Sequence, residues 1–260
     1  MGSLFNRAVG LSFGTAVLAA ALAVSPPAEA QIVGEAVTYE IDGERFEGYV
    51  ARNPDVAGDL PVVVVIHDWD GLGSYERRRA EMLAEAGYAA VALDLYGAGI
   101  RPETLEERRA RSGALYADRE RMRRLMTGGI EALLGEGMDA ERLVTMGYCF
   151  GGAAALELAR SGAEAAGFVS FHGGLSTPEG QDYGAVTAPV LILHGSADPV
   201  APMSEVADLA SRMDEAGVVH SMEIYGGAEH AFTVWGGQDY EASADQASWR
   251  ALLHFLDERL

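Results

Sequence analysis

Apolar positions along this chain follow two rhythms. Ala36 to Ile41 and Arg45 to Val50 alternate apolar and polar residues around Asp42-Gly43, a tight-turn pair, which predicts an antiparallel hairpin at one edge of a sheet. Pro61-Val-Val-Val-Val-Ile66 is instead continuous and β-branched, the pattern of a strand covered on both faces of a parallel sheet. A helix from Tyr75 to Ala86 follows. The same strand-then-helix order returns from Tyr88 to Leu93, Leu143 to Gly147, Gly167 to Phe171, Val190 to His194 and Met222 to Tyr225. Such alternation predicts an α/β fold built on a mostly parallel, doubly wound sheet. No repeat period or linker-like composition interrupts residues 31–260, which are expected to form one domain.

The first thirty residues read differently. Arg7 precedes an uncharged stretch from Ala8 to Val24, followed by Ser25-Pro26-Pro27 and the small-residue site Ala28-Glu29-Ala30. This is the pattern of a secretory signal peptide cleaved after Ala30, so a secreted or periplasmic protein without a stable membrane span is expected. The mature chain would keep one cysteine, Cys149, and so could form no internal disulfide.

Composition narrows the chemistry. All 19 basic residues are Arg, against 39 acids, for a net charge of −20. Without Lys there is neither a Schiff base nor a Walker-type phosphate loop, and the negative charge opposes nucleic acid as a partner. The acidity fits either solubility or a high-salt habitat. Arg101 to Arg124 holds eight Arg and five acids, with Glu107/Arg111 and Glu120/Arg124 at i, i+4 spacing. It is expected to be a solvated helix face laced with ion pairs, or else a cover over the site with an Arg turned inward.

The segment from Leu143 runs from a predicted strand through Gly147-Tyr148-Cys149-Phe150-Gly151 into a small-residue helix. A nucleophile on such a turn needs glycine two residues before and after it, because strand and helix pass too closely for Cβ atoms. The helix N-terminus beneath the sulfur is expected to lower the thiol pKa and to offer free N–H groups to an oxyanion. Asp198 follows the strand Val190 to His194, and His230 lies in the Gly-rich loop after the last strand. Nucleophile, acid and histidine thus occur in the order of a hydrolytic triad. His67, His172 and His194 also end predicted strands and, with Asp68 and Asp70, could surround a metal. No metal-binding spacing joins them, and strand-end histidines commonly bond backbone instead, so neither metal nor cofactor is expected.

Together the elbow Gly147-Tyr148-Cys149-Phe150-Gly151-Gly152, the Asp198 loop, His230-Ala231-Phe232 and Asp94-Leu95-Tyr96 resemble the dienelactone hydrolase family across the whole mature chain. The resemblance implies an α/β-hydrolase fold and a catalytic Cys149, His230, Asp198 triad acting on small ester or lactone substrates. It assigns the oxyanion hole to the backbone N–H groups of Phe150 and of a residue in the His67–Gly71 loop, with Trp69 the best candidate, and contact with the resting nucleophile to Asp68; Tyr96 of the Asp94-Leu95-Tyr96 segment and nearby Arg101 are the candidate substrate contacts. Where the family carries two carboxylate-binding Arg residues, this chain has Ala98 and Val234, so dienelactone itself is not the expected substrate. A monomer is expected. The competing reading is a non-catalytic or redox protein on the same fold, with Cys149 as its thiol.

Overall fold

The computed structural model describes residues 1–2 and 31–260, so the expected signal peptide lies, beyond its first two residues, outside the described residues. Among these residues eight strands form one sheet: β1 (Val33–Ile41), β2 (Glu44–Arg52), β3 (Leu60–Ile66), β4 (Ala89–Leu93), β5 (Met138–Tyr148), β6 (Gly167–Phe171), β7 (Val190–Gly195) and β8 (His220–Tyr225). Their order is β1-β2-β4-β3-β5-β6-β7-β8. β1 pairs antiparallel with β2 and β2 with β4, and every later pairing is parallel. The β1–β2 turn uses positive φ at Asp42 and Gly43, as its dipeptide predicts. Among the described residues no helix is long and apolar enough to cross a membrane.

Among the described residues, six helices complete the α/β fold: α1 (Ser74–Glu85), α2 (Leu105–Ala117), α3 (Arg119–Leu133), α4 (Phe150–Arg160), α5 (Met203–Ala216) and α6 (Ala242–Arg259). Alternation along β3 divides the core. Val62, Val64 and Ile66 join residues of α3, α4 and α5 such as Leu125, Leu156 and Leu209 on one face. Val63 and Val65 join Leu83 of α1 and Leu252 and Leu256 of α6 on the other. β3 is covered on both faces, which is why it tolerates no polar position.

The Arg101–Arg124 segment departs from its expected form. It contains parts of two helices that meet at Asp118, which ends α2 and caps α3 by accepting from the Arg121 N–H at 2.9 Å. Neither expected i, i+4 pair forms. Glu107 is taken by a capping box, its carboxylate accepting from the Glu103 and Thr104 N–H groups. The arginines reach instead to other elements, Arg121 to Glu44, Arg124 to Asp42, and Arg119 and Arg123 to Glu157. A local spacing was outcompeted by carboxylates that the fold brings alongside.

Candidate active site

Three loops at the carboxyl ends of the parallel strands converge, the position where open α/β sheets expose their crevice. Cys149 follows β5, Asp198 follows β7, and His230 follows β8. Cys149 has φ 50° and ψ −109°, a strained conformation for a non-glycine residue. The turn holds because its neighbours lack Cβ atoms. A Cβ on Gly147 would strike the backbone of Gly151, and one on Gly151 would strike the carbonyl of Ile66. Gly195 is equally constrained, since a Cβ there would meet the Ala228 carbonyl in the loop that carries His230.

The predicted trio meets in hydrogen-bonding distance. His230 Nε2 lies 3.0 Å from Cys149 Sγ, and Nδ1 lies 2.8 Å from Asp198 Oδ2. Asp198 is buried, and its other oxygen accepts from the Val200 and Ala201 N–H groups at 2.7 and 3.1 Å. Burial alone would raise its pKa, but the hydrogen bond and charge of His230, with those two N–H groups, hold it below the ordinary aspartate value. Asp198 therefore stays ionised and fixes Nδ1 as the protonated nitrogen, leaving Nε2 to accept from the thiol.

The expected low thiol pKa is overturned. Burial, and then the charge and hydrogen bond of Asp68, push the Cys149 thiol well above its ordinary value, outweighing the Phe150 and Trp69 N–H groups at the sulfur. A thiol has one proton, and here it faces two acceptors, His230 Nε2 and Asp68. Asp68 can answer by carrying a proton itself, because burial and then Asp70 raise its pKa to about 6. The Phe150 N–H lies at the sulfur. The Trp69 N–H also lies at the sulfur, yet in this resting arrangement it donates to Asp68 Oδ1 at 2.5 Å.

The remaining predicted residues separate. Arg101 lines a cavity of about 350 Å³ beside Asp68, together with Arg108, Val234 and the acids Asp70, Glu76 and Glu103. Its Nη1 donates to the Ile100 carbonyl. Tyr96 does not reach that surface. It is buried with its ring 4.6 Å from that of His67 and 5.7 Å from that of Phe150, so it packs behind the elbow. No group of candidate metal ligands occurs among the described residues. His67 contacts the Asp68 carbonyl and accepts from the Leu95 N–H, while His194 contacts the Ala201 carbonyl.

Sequence reasoning missed several supports. Glu76 is buried and accepts from the Asp68 and Gly73 N–H groups at 3.3 and 2.8 Å, bracing the loop that holds Asp68. Its place three residues after Gly73, at the N3 position of α1, was a readable capping signal. His172 sits edge-on to His230, with ring centroids 5.4 Å apart, and Nε2 lies 2.8 Å from Thr233 Oγ1. Thr233 Oγ1 lies 2.7 Å from the Tyr75 hydroxyl. Buried Arg79 donates to the Thr233 carbonyl and pairs with Asp245, so a network running from α6 to α1 stands behind the His230 loop.

This constellation defines an α/β-hydrolase site with a cysteine at its elbow. The family model of the dienelactone hydrolase family matches residues 46–260, and the chain belongs to that family. A curated relative from Bradyrhizobium sp, named a "Probable 2-oxo-3-(5-oxofuran-2-ylidene)propanoate lactonase", is 29% identical over 225 residues, covering 83% of this chain and 90% of the relative. The solved structure of the protein named m3DLH is similar with a TM-score of 0.83 and 33% identity, covering 88% of this chain and 99% of that one. A dienelactone hydrolase-like promiscuous phosphotriesterase from metagenomic libraries superposes with a TM-score of 0.82 at 30% identity, covering 88% and 98%. The chain is a hydrolase of the carboxylic ester and lactone class.

Proposed function

We propose that this protein is an exported hydrolase of small activated esters or lactones that works through Cys149, His230 and Asp198 and a thioester acyl-enzyme. The observation that carries the reading is the continuous contact from Sγ through the imidazole to Asp198, at 3.0 and 2.8 Å. Export rests on the sequence of residues 1 to 30 alone.

His230 Nε2 takes the thiol proton as Sγ bonds to the substrate carbonyl carbon, and the carbonyl oxygen becomes an oxyanion. The N–H of Phe150 faces this position. The N–H of Trp69 joins it once Asp68 releases its bond, and each such donor contributes about 3–4 kcal/mol to the barrier reduction. When the carbon–oxygen bond breaks, the leaving alcohol takes the proton from His230, and a thioester remains. Water then attacks, giving its proton to His230. The acid leaves as the carbon–sulfur bond breaks and the thiol is reprotonated. Thiolate is itself a good leaving group, so the first tetrahedral intermediate returns to substrate unless the alcohol leaves readily. Enol esters, lactones and aryl esters meet that condition.

The resting site also bears on the redox reading. Oxidation follows thiolate character as well as exposure, and although Cys149 keeps some of its surface exposed, desolvation and the charge of Asp68 raise its thiol pKa well above the ordinary value. The test is hydrolysis of short-chain p-nitrophenyl esters and an enol lactone, with Cys149→Ala in parallel. Turnover that disappears in the variant is expected. Turnover that survives it overturns the triad, and stoichiometric thiol labelling without turnover of any ester returns the protein to a redox or binding role.

A further inference from the structure

A second cavity, of about 270 Å³, shares no lining residue with the one that contains Arg101. Ala153 lies in its wall, and the Ala153 N–H bonds the Cys149 carbonyl, so the cavity begins one turn of α4, about 6 Å along the helix, from the reacting residue. Tyr116 also lines it, its ring edge-on to that of Phe150 with centroids 5.4 Å apart. Arg119 and Arg160 line it too, with Ser176 and one acid, Glu205.

The charge behind this wall is unbalanced. Three guanidiniums, of Arg119, Arg123 and Arg160, share the single carboxylate of Glu157, which is fully buried. The cluster therefore carries two positive charges in excess, on a chain whose net charge is −20. Each guanidinium nitrogen of Arg160 donates, Nε to Gln181, Nη1 to Tyr183 and Nη2 to Glu157. Arg119 differs: its Nη1 donates to Glu157 at 2.8 Å, and among the described residues its Nε and Nη2 donate to no protein atom. Its guanidinium lies over the Tyr116 ring at 5.4 Å and keeps 26% of its side-chain surface exposed. One end of the fork is thus pinned while the other stays open to solvent, an arrangement ready for a carboxylate. The cavity that contains Arg101 is a poor competitor, because Asp68, Asp70, Glu76 and Glu103 line it as well.

We infer that Arg119 forms an anion subsite for substrates that carry a carboxylate several bonds from the scissile ester, so that half-esters of short dicarboxylic acids are preferred over neutral esters of equal length. This rests on the reading of Cys149 as the nucleophile. It gives the segment from Arg101 to Arg124 an inward-facing arginine, though on α3 at the second cavity.

The experiment compares kcat/KM for the p-nitrophenyl half-ester of glutaric acid with that for p-nitrophenyl valerate, alongside direct titration of free glutarate by calorimetry. The wild-type protein should favour the half-ester, and the ratio should fall by about tenfold in Arg119→Gln, the loss of a charge-assisted pair. It should be unmoved in the surface control Arg78→Gln, and it should shrink as salt is added. Arg119→Lys, which keeps the charge but not the fork, covers the case in which Gln unsettles the fold. A wild-type ratio near one, or a ratio that falls in Arg101→Gln and not in the Arg119 variants, overturns the subsite. If neither ester turns over while glutarate still binds in an Arg119-dependent way, the subsite stands and the hydrolase reading fails.

Discussion

Glu76 and Glu157 are both glutamates on helices that cover opposite faces of the sheet, and their side chains are almost wholly removed from solvent. They ionise in opposite directions. Burial lifts Glu76 to a pKa of about 7, against which it has only backbone N–H groups. Burial acts on Glu157 with the same sign, but Arg160, Arg123 and Gln181 overcome it and hold the carboxylate below its ordinary value. Desolvation therefore does not decide the charge of a buried acid; the cations placed around it do. The consequence is an asymmetric site. On the Asp68 and Glu76 side the protein holds acids near the point of protonation beside a protonated thiol, while on the Glu157 side it holds a fixed surplus of positive charge.

Asp198 is the test of that rule at the proposed triad, being buried yet held below the ordinary aspartate pKa because His230 faces it. Asp198→Asn removes the charge with little change in shape. By the logic of the triad, kcat should drop about ten-thousand-fold, since the imidazole loses its fixed tautomer and the partner that stabilises its cation. The far-UV circular dichroism spectrum should be unchanged. A drop of less than tenfold would falsify the role given to Asp198.

The next largest effect belongs to Glu157. Replacing it with Gln leaves three guanidiniums facing one another, with Arg160 almost fully buried, and breaking a buried ion pair in this way costs about 3–5 kcal/mol. Urea unfolding monitored by tryptophan fluorescence measures it. A loss under 1 kcal/mol would mean that water already screens the cluster, and the contrast with Glu76 would collapse.

Much of the site was legible because its signals are local. Gly147 and Gly151 flank Cys149 at offsets that only a strained strand-to-helix turn requires, and Asp198 and His230 each follow a recognisable strand. The strands themselves were readable from composition, since β3 and β4 carry almost nothing but apolar residues. The Glu157 cluster was not legible, because its arginines come from positions 119, 123 and 160 and meet only after α3 packs against α4. The same long-range pairing misled the i, i+4 reading of Glu120/Arg124, whose arginine is drawn to Asp42 at the hairpin turn. The raised thiol pKa was equally hidden. A helix N-terminus is visible in sequence, but the partial burial of Cys149 and the approach of Asp68 depend on the closed fold.

The smallest effect is the most direct reading of the asymmetry, because it follows one group as pH changes. Native Asp68 and Glu76 titrate near 6 and 7, above their ordinary values of 3.8 and 4.5. Between these limits the native state binds more protons than the unfolded chain, so the slope of stability against pH is negative. The stability these groups contribute is present in full below about pH 4 and is lost as pH rises through 6 to 7. In Glu76→Gln the Glu76 part of that loss disappears. The amide gives up one of the two N–H bonds that Glu76 accepts, which lowers stability by about 1 kcal/mol at every pH and leaves the slope as the diagnostic. From pH 5 to pH 8 the variant should gain on the wild type by on the order of 2–3 kcal/mol in urea unfolding. Glu157→Gln should show no such gain over that range, because Glu157 is already ionised throughout it. Parallel pH profiles for wild type and Glu76→Gln would mean that Glu76 is charged in the native state, and the two sides of the nucleophile would then differ in their cations but not in the charge of their acids.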